Sequence, residues 1–94
     1  MRTVSVDLPG HELVRSGLAD LAAGRESEAS LVVAMAATRL RAVGFDVPDP
    51  GWTEVSHRLY GLIAENGDGA HSRYNALLGR IVSFARAAEH ASAG

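Results

Sequence analysis

Cysteine is absent from this sequence of 94 residues. Its absence excludes disulfide bonds, thiolate metal sites and cysteine nucleophiles. Lysine is absent as well, and the formal net charge of −2 provides no overall field that would attract nucleic acid or an anionic membrane. No apolar run approaches the roughly 18 residues that span a bilayer, and the first residues lack the core of a signal peptide. We therefore expect a soluble, cytoplasmic protein that does not bind membranes.

Glycine and proline divide the chain into four amphipathic segments. A chain of this length suits one domain, residues 1–94, with roughly 60 to 65% of its unfolded surface buried. Apolar residues recur at helical spacing in each segment, which predicts helices over about 9–23, 27–43, 50–65 and 69–90 and a disordered tail over 91–94. Short connections between amphipathic helices favour antiparallel neighbours. The sequence thus predicts an all-α fold of two helical hairpins.

Single residues at the helix ends and faces give more specific expectations. Gly17 lies on the apolar face of the first helix, which predicts close approach of another backbone there. Asp49 and Pro50 form a start signal for the third helix, and Asp68 does the same for the fourth.

The second helix carries two apolar stripes. The main stripe consists of Val32, Val33, Ala36, Leu40 and Val43, and Leu31 with Met35 forms a second one about 100 degrees away. Either this helix is central in the fold, or a second copy of the chain covers Leu31 and Met35. We favour the second copy, which predicts a homodimer with these two residues in its interface; an interleaved bundle is one such arrangement. Arg39 lies near the buried face of the same helix, where burial requires a partner; Asp20, Glu28 or a second subunit are the candidates.

The run from His71 to Asn75 is rich in polar side chains that could bind a ligand. Helical spacing divides them between the two margins of the apolar stripe around Tyr74, which favours an ordinary helix start. The alternative is that the exposed amides of that helix start, with His71, Ser72 and Arg73, hold a phosphate or carboxylate.

The N-terminal segment alternates apolar and polar residues, "RTVSVDLP", as a half-buried strand does. A lone strand needs a neighbour, so residues 2–8 are either an extended arm or a strand that pairs with a second copy. With the two helices that follow, residues 1–44 are similar in layout to ribbon-helix-helix repressors, which bind DNA as dimers. The resemblance implies a transcription regulator with DNA contacts from Arg2, Thr3, Ser5, Asp7, Arg25 and Ser27. Acidic residues beside these positions, Glu26 and Glu28, oppose binding to phosphates.

Enzyme motifs are incomplete in this sequence. The stretch His11-Glu12-Leu13-Val14-Arg15 departs from the zinc-protease pattern at its fifth position, where arginine replaces the second histidine. We find no phosphate-binding loop, nucleophile elbow or dinucleotide fingerprint. The sequence therefore favours a non-catalytic interaction or regulatory module, a homodimer without cofactor or metal. DNA binding and small-ligand binding remain the two alternatives.

Overall fold

A computed structural model of the chain describes residues 10–65, 67 and 69–93. Five helices lie in this part of the chain: α1 (His11–Ala22), α2 (Glu28–Met35), α3 (Ala37–Ala42), α4 (Val55–Ala64) and α5 (Ala70–Ala93). The described residues contain helices and irregular segments but no strand, which confirms the predicted all-α fold. The predicted N-terminal arm or strand, residues 2–8, lies outside the described residues, as does the predicted cap Asp68.

Helix α1 packs closely against α2 through a glycine. Gly17 is buried, and a Cβ atom built on it would lie 2.5 Å from the carbonyl oxygen of Ala29 on α2. Real Cβ atoms essentially never come so close to a backbone oxygen, so the absence of a side chain lets the two helices approach. This contact confirms the prediction made for Gly17.

The predicted second helix is two helices, because its hydrogen-bond pattern is interrupted at Ala36. The amide of Ala36 donates to the carbonyl of Val33, three residues back, at 3.1 Å. Bonding to the third preceding carbonyl tightens the turn and ends the regular α-helix. Helix α3 then continues to Ala42, and Gly44, with φ of 98°, ends this region.

The predicted start of the third helix at Asp49 and Pro50 is wrong, because helix α4 begins only at Val55. The Asp49 carboxylate accepts a hydrogen bond from the Gly51 amide at 2.9 Å, and Gly51 has φ of 79°. The aspartate therefore closes a local turn whose left-handed residue cannot continue into a helix. Arg41 holds the preceding segment by donating twice to the carbonyl of Val47, at 2.7 and 3.1 Å.

Helix α2 lies at the centre of the fold and contacts α1, α4 and α5. Its consecutive residues Ser30, Leu31, Val32 and Val33 are all buried, so neighbours cover this turn of the helix on every side. The long helix α5 contributes Leu77, Ile81, Phe84, Ala85 and Ala88 to the same core, and the Phe84 ring lies 5.5 Å from that of Phe45. Helix α5 continues to Ala93, where the sequence predicts a disordered tail.

Candidate interaction surface

The start of α2 is held by a hydrogen-bonded group around Ser27. The Ser27 hydroxyl oxygen accepts from the Ser30 amide at 3.1 Å, and the Ser30 hydroxyl oxygen accepts from the Ser27 amide at 2.8 Å, which forms a capping box. The Ser27 hydroxyl also donates to the Asp20 carboxylate at 2.7 Å. That hydrogen bond, followed by the one from Arg25, holds the pKa of the Asp20 carboxyl below its ordinary value.

Three ion pairs surround the same end of α2. Arg25 bonds Asp20 at 3.0 Å, Arg58 bonds Glu26 at 2.9 Å, and Arg73 bonds Glu28 at 2.7 Å. Arg73 on α5 links that helix to Glu28 of α2, and Arg58 on α4 links its helix to Glu26 in the segment just before α2. The acidic residues here neutralise arginines of the same chain, and the end of the bundle carries little net charge.

An open groove of about 510 Å³ lies between this end of α2 and α5. Leu13, Leu62 and Leu77 supply apolar lining, while Arg73 and Arg80 line it beside Asp20, Glu26 and Glu28. Since both acidic and basic groups line the groove, it has no strong preference for an anion. Arg73, the cation of the predicted anion site, is already bound to Glu28.

The other residues of the predicted ligand site do not converge with Arg73. The His71 ring nitrogen lies 3.2 Å from the Asn75 amide nitrogen in a hydrogen bond along α5. Ser72 is exposed, and helical geometry places it and Arg73 on sides of α5 that differ from the side of His71. The three side chains therefore do not form a shared pocket in this structure, and ligand binding at this place stays an untested prediction.

The predicted DNA contacts are only partly described. Arg2, Thr3, Ser5 and Asp7 lie outside the described residues. Ser27 caps α2, and Arg25 is bound to Asp20. The similarity to ribbon-helix-helix repressors therefore stays a prediction, and the two described contact residues already have partners within the chain.

Arg39 binds a residue that was not among the partners predicted from the sequence. Its guanidinium donates to both carboxylate oxygens of Glu89 on α5, at 2.7 and 3.0 Å. The prediction of Asp20 or Glu28 is wrong, because those carboxylates bind Arg25 and Arg73. The hydrogen bonds from Arg39 lower the pKa of the Glu89 carboxyl. This bidentate ion pair joins α3 to the last turns of α5.

The two residues predicted for the dimer interface differ in exposure. Leu31 is fully buried by helices of its own chain, so the reason for placing it between subunits no longer holds. The alternative, that this helix is central, explains its second apolar stripe. Met35 remains 37% exposed at the end of α2 and is accessible to a partner.

A second exposed apolar surface lies along α5, where the sequence does not predict an interface. Tyr60 on α4 is 40% exposed, and its ring packs edge-on against Tyr74, with ring centroids 5.5 Å apart. Leu78 and Val82 follow Tyr74 at four-residue intervals, so the three side chains are neighbours on one helix. Leu78 is half-buried, and Val82 is 37% exposed. We call Tyr60, Tyr74, Leu78 and Val82 the apolar row. The four-residue spacing of its α5 members is visible in the sequence, but their exposure is not.

Metal and membrane sites find no support in the described part of the chain. Its histidine, aspartate and glutamate side chains form no group of three that could share a metal ion. None of its helices combines the length and the apolar character needed to cross a bilayer.

Comparisons with protein-family models, curated proteins and solved structures find no match to this chain.

Proposed function

We propose that the protein is a small, non-catalytic helical interaction module that acts as a homodimer, and that the apolar row is its contact surface. The observation that carries the proposal is the exposed Tyr60, held edge-on against Tyr74 at the end of a row that reaches the exposed Val82. Tyrosine is enriched in the cores of protein interfaces, where its ring supplies a large contact area with few rotatable bonds.

The energetic argument for a partner follows from the size of the chain. A domain of this length buries a modest fraction of its surface and is correspondingly marginal in stability. Complete burial of a large apolar side chain is favourable by about 1.5 to 3 kcal/mol. The members of the apolar row are partly exposed, so each contributes a fraction of that free energy to association when a partner covers it. Association also stabilises the folded chain by mass action.

The test is analytical ultracentrifugation of wild type and two neighbouring variants over a wide range of protein concentrations. We expect wild type to dimerise, and we expect Val82→Glu to weaken the dimer because it places a charge within the apolar row. Ser83→Glu is the matched control, since Ser83 is exposed on the same helix turn but points away from the row. The control should dimerise as wild type does.

Two outcomes would overturn this proposal or move the surface. A wild-type protein that stays monomeric at every concentration would refute the homodimer. An intact dimer in Val82→Glu with loss of the dimer in Met35→Glu would move the interface from α5 to the exposed end of α2, the place predicted from the sequence.

A further inference from the structure

The exposed side of α5 carries residues at the spacing of a helix-pairing surface, with two apolar side chains at its centre. His71, Asn75, Leu78 and Val82 follow one another at steps of four, three and four residues, the spacing of a coiled-coil seam. His71, Asn75 and Val82 are exposed, and Leu78 is half-buried. Arg86 and Glu89 continue the same side toward the end of the helix. We call these six residues the α5 seam; its centre is apolar and its two ends are polar.

We propose that the α5 seam pairs with the α5 seam of a second copy, antiparallel and centred near Arg80. This inference rests on the proposed homodimer and assigns its partner surface, direction and register. In this arrangement Val82 of each copy packs against Leu78 of the other. Because a two-fold axis relates the copies, each contact occurs twice.

The ends of the seam decide the direction. Antiparallel pairing places His71 of one copy opposite Glu89 of the other, an acceptor for an imidazole N–H. It also places the guanidinium of Arg86 near the ring of Tyr74, where cation–π attraction is favourable. Parallel pairing would instead place Arg86 against Arg86 and Glu89 against Glu89, and like charges in contact are destabilising. The charge pattern of the seam is complementary to itself only when one copy is reversed.

The groups at the seam have the accessibility that this arrangement requires. The Glu89 side chain is 40% exposed although it binds Arg39, so its carboxylate can accept a further hydrogen bond. Arg86 is exposed and already interacts electrostatically with Glu89 of its own helix. The seam from His71 to Glu89 is about 27 Å long at 1.5 Å per residue, so several turns of each helix meet.

Substitutions of opposite sign at His71 test the charge complementarity. We expect His71→Glu to weaken dimerisation about three- to tenfold, since the two symmetric contacts each acquire a like-charge pair. We expect His71→Arg to strengthen it by a similar factor. A glutamate in the first turn of a helix favours the helix itself, so weaker association in His71→Glu is not explained by poorer folding. Ser16→Glu, at an exposed position on α1, is the control and should leave the dimerisation constant unchanged.

Spin-label distances test the direction, and the lack of native cysteine makes each label unique. In the antiparallel arrangement, labels on His71→Cys lie about 27 Å apart along the helix axis, and labels on Ser83→Cys about 9 Å apart. A short distance at both positions would refute antiparallel pairing, and a long distance at both would refute pairing through α5. If only the direction is refuted, a persisting dimer leaves the proposed function standing. If pairing through α5 is refuted, a persisting dimer leaves the homodimer standing but moves its contact surface away from the apolar row. A monomer at all concentrations would remove both proposals.

Discussion

Replacing Gly17 by alanine tests the close approach of α1 and α2. In most helices this change is favourable by about 1 kcal/mol, because alanine has the higher helix propensity. At Gly17 the new Cβ would meet the Ala29 carbonyl oxygen at 2.5 Å and the Val33 Cβ at 3.0 Å. A backbone oxygen cannot rotate away as a side-chain end can, so the two helices must separate.

The magnitude follows from that separation. Relieving the contact requires the two helices to move apart by about 1 Å. A gap of that size removes about a quarter to a half of the dispersion attraction across the interface. Overpacking of a core typically costs about 1 to 3 kcal/mol, and a backbone clash places Gly17→Ala at the upper end. After the propensity gain of about 1 kcal/mol, we expect a net loss of about 2 kcal/mol in the free energy of unfolding.

Two other helical glycines provide matched controls. An added Cβ at Gly61 on α4 or Gly79 on α5 meets nothing within 4 Å, so each alanine variant should be more stable than wild type by up to about 1 kcal/mol. Urea unfolding followed by circular dichroism, at one fixed protein concentration, measures all four proteins. A Gly17→Ala variant as stable as the Gly61→Ala variant would refute the close α1–α2 packing.

Two further predictions concern the polar contacts of α2 and α5. Ser27→Ala should lower the free energy of unfolding by about 1 kcal/mol through loss of the capping box, and Ser27→Thr should retain part of it; an unchanged urea midpoint in the alanine variant would contradict this. The pKa of Glu89 is lowered in the folded state. The ionised Glu89 carboxylate therefore stabilises the fold above its unfolded-state pKa, and this stabilisation is lost as the pH falls through its folded-state pKa. Arg39→Gln should therefore lose less stability than wild type below about pH 4, as measured by thermal unfolding. Arg15→Gln, at an exposed position on α1, should lose as much as wild type does. Equal acid profiles for wild type and Arg39→Gln would count against the role of the Arg39–Glu89 pair.

The candidate surface could be predicted from the sequence only in part. The four-residue spacing of Tyr74, Leu78 and Val82 is present in the sequence, but the same spacing equally describes a buried stripe. Which of these side chains remains accessible depends on where α4 lies, and Tyr60 shows this by covering one side of Tyr74. For the same reason Leu31 could not be assigned to the core before α2 was known to be central.

The sequence by itself determined the helical class, the helix termini at glycines such as Gly44, and the apolar faces of the helices, because these depend on interactions within a few residues. It also determined the close approach at Gly17, since an apolar helix face without a side chain admits a neighbour. Only the tertiary structure decided that the turn of α2 from Ser30 to Val33 is covered on all sides, that Arg39 binds Glu89, and that Asp49 closes a turn. The first two of these features join residues far apart in the chain. The third is a hydrogen bond between near neighbours, Asp49 and Gly51, but the segment that leads to it is held by Arg41 and by the buried Val47. All three therefore depend on how the helices and this segment pack, which local spacing does not specify.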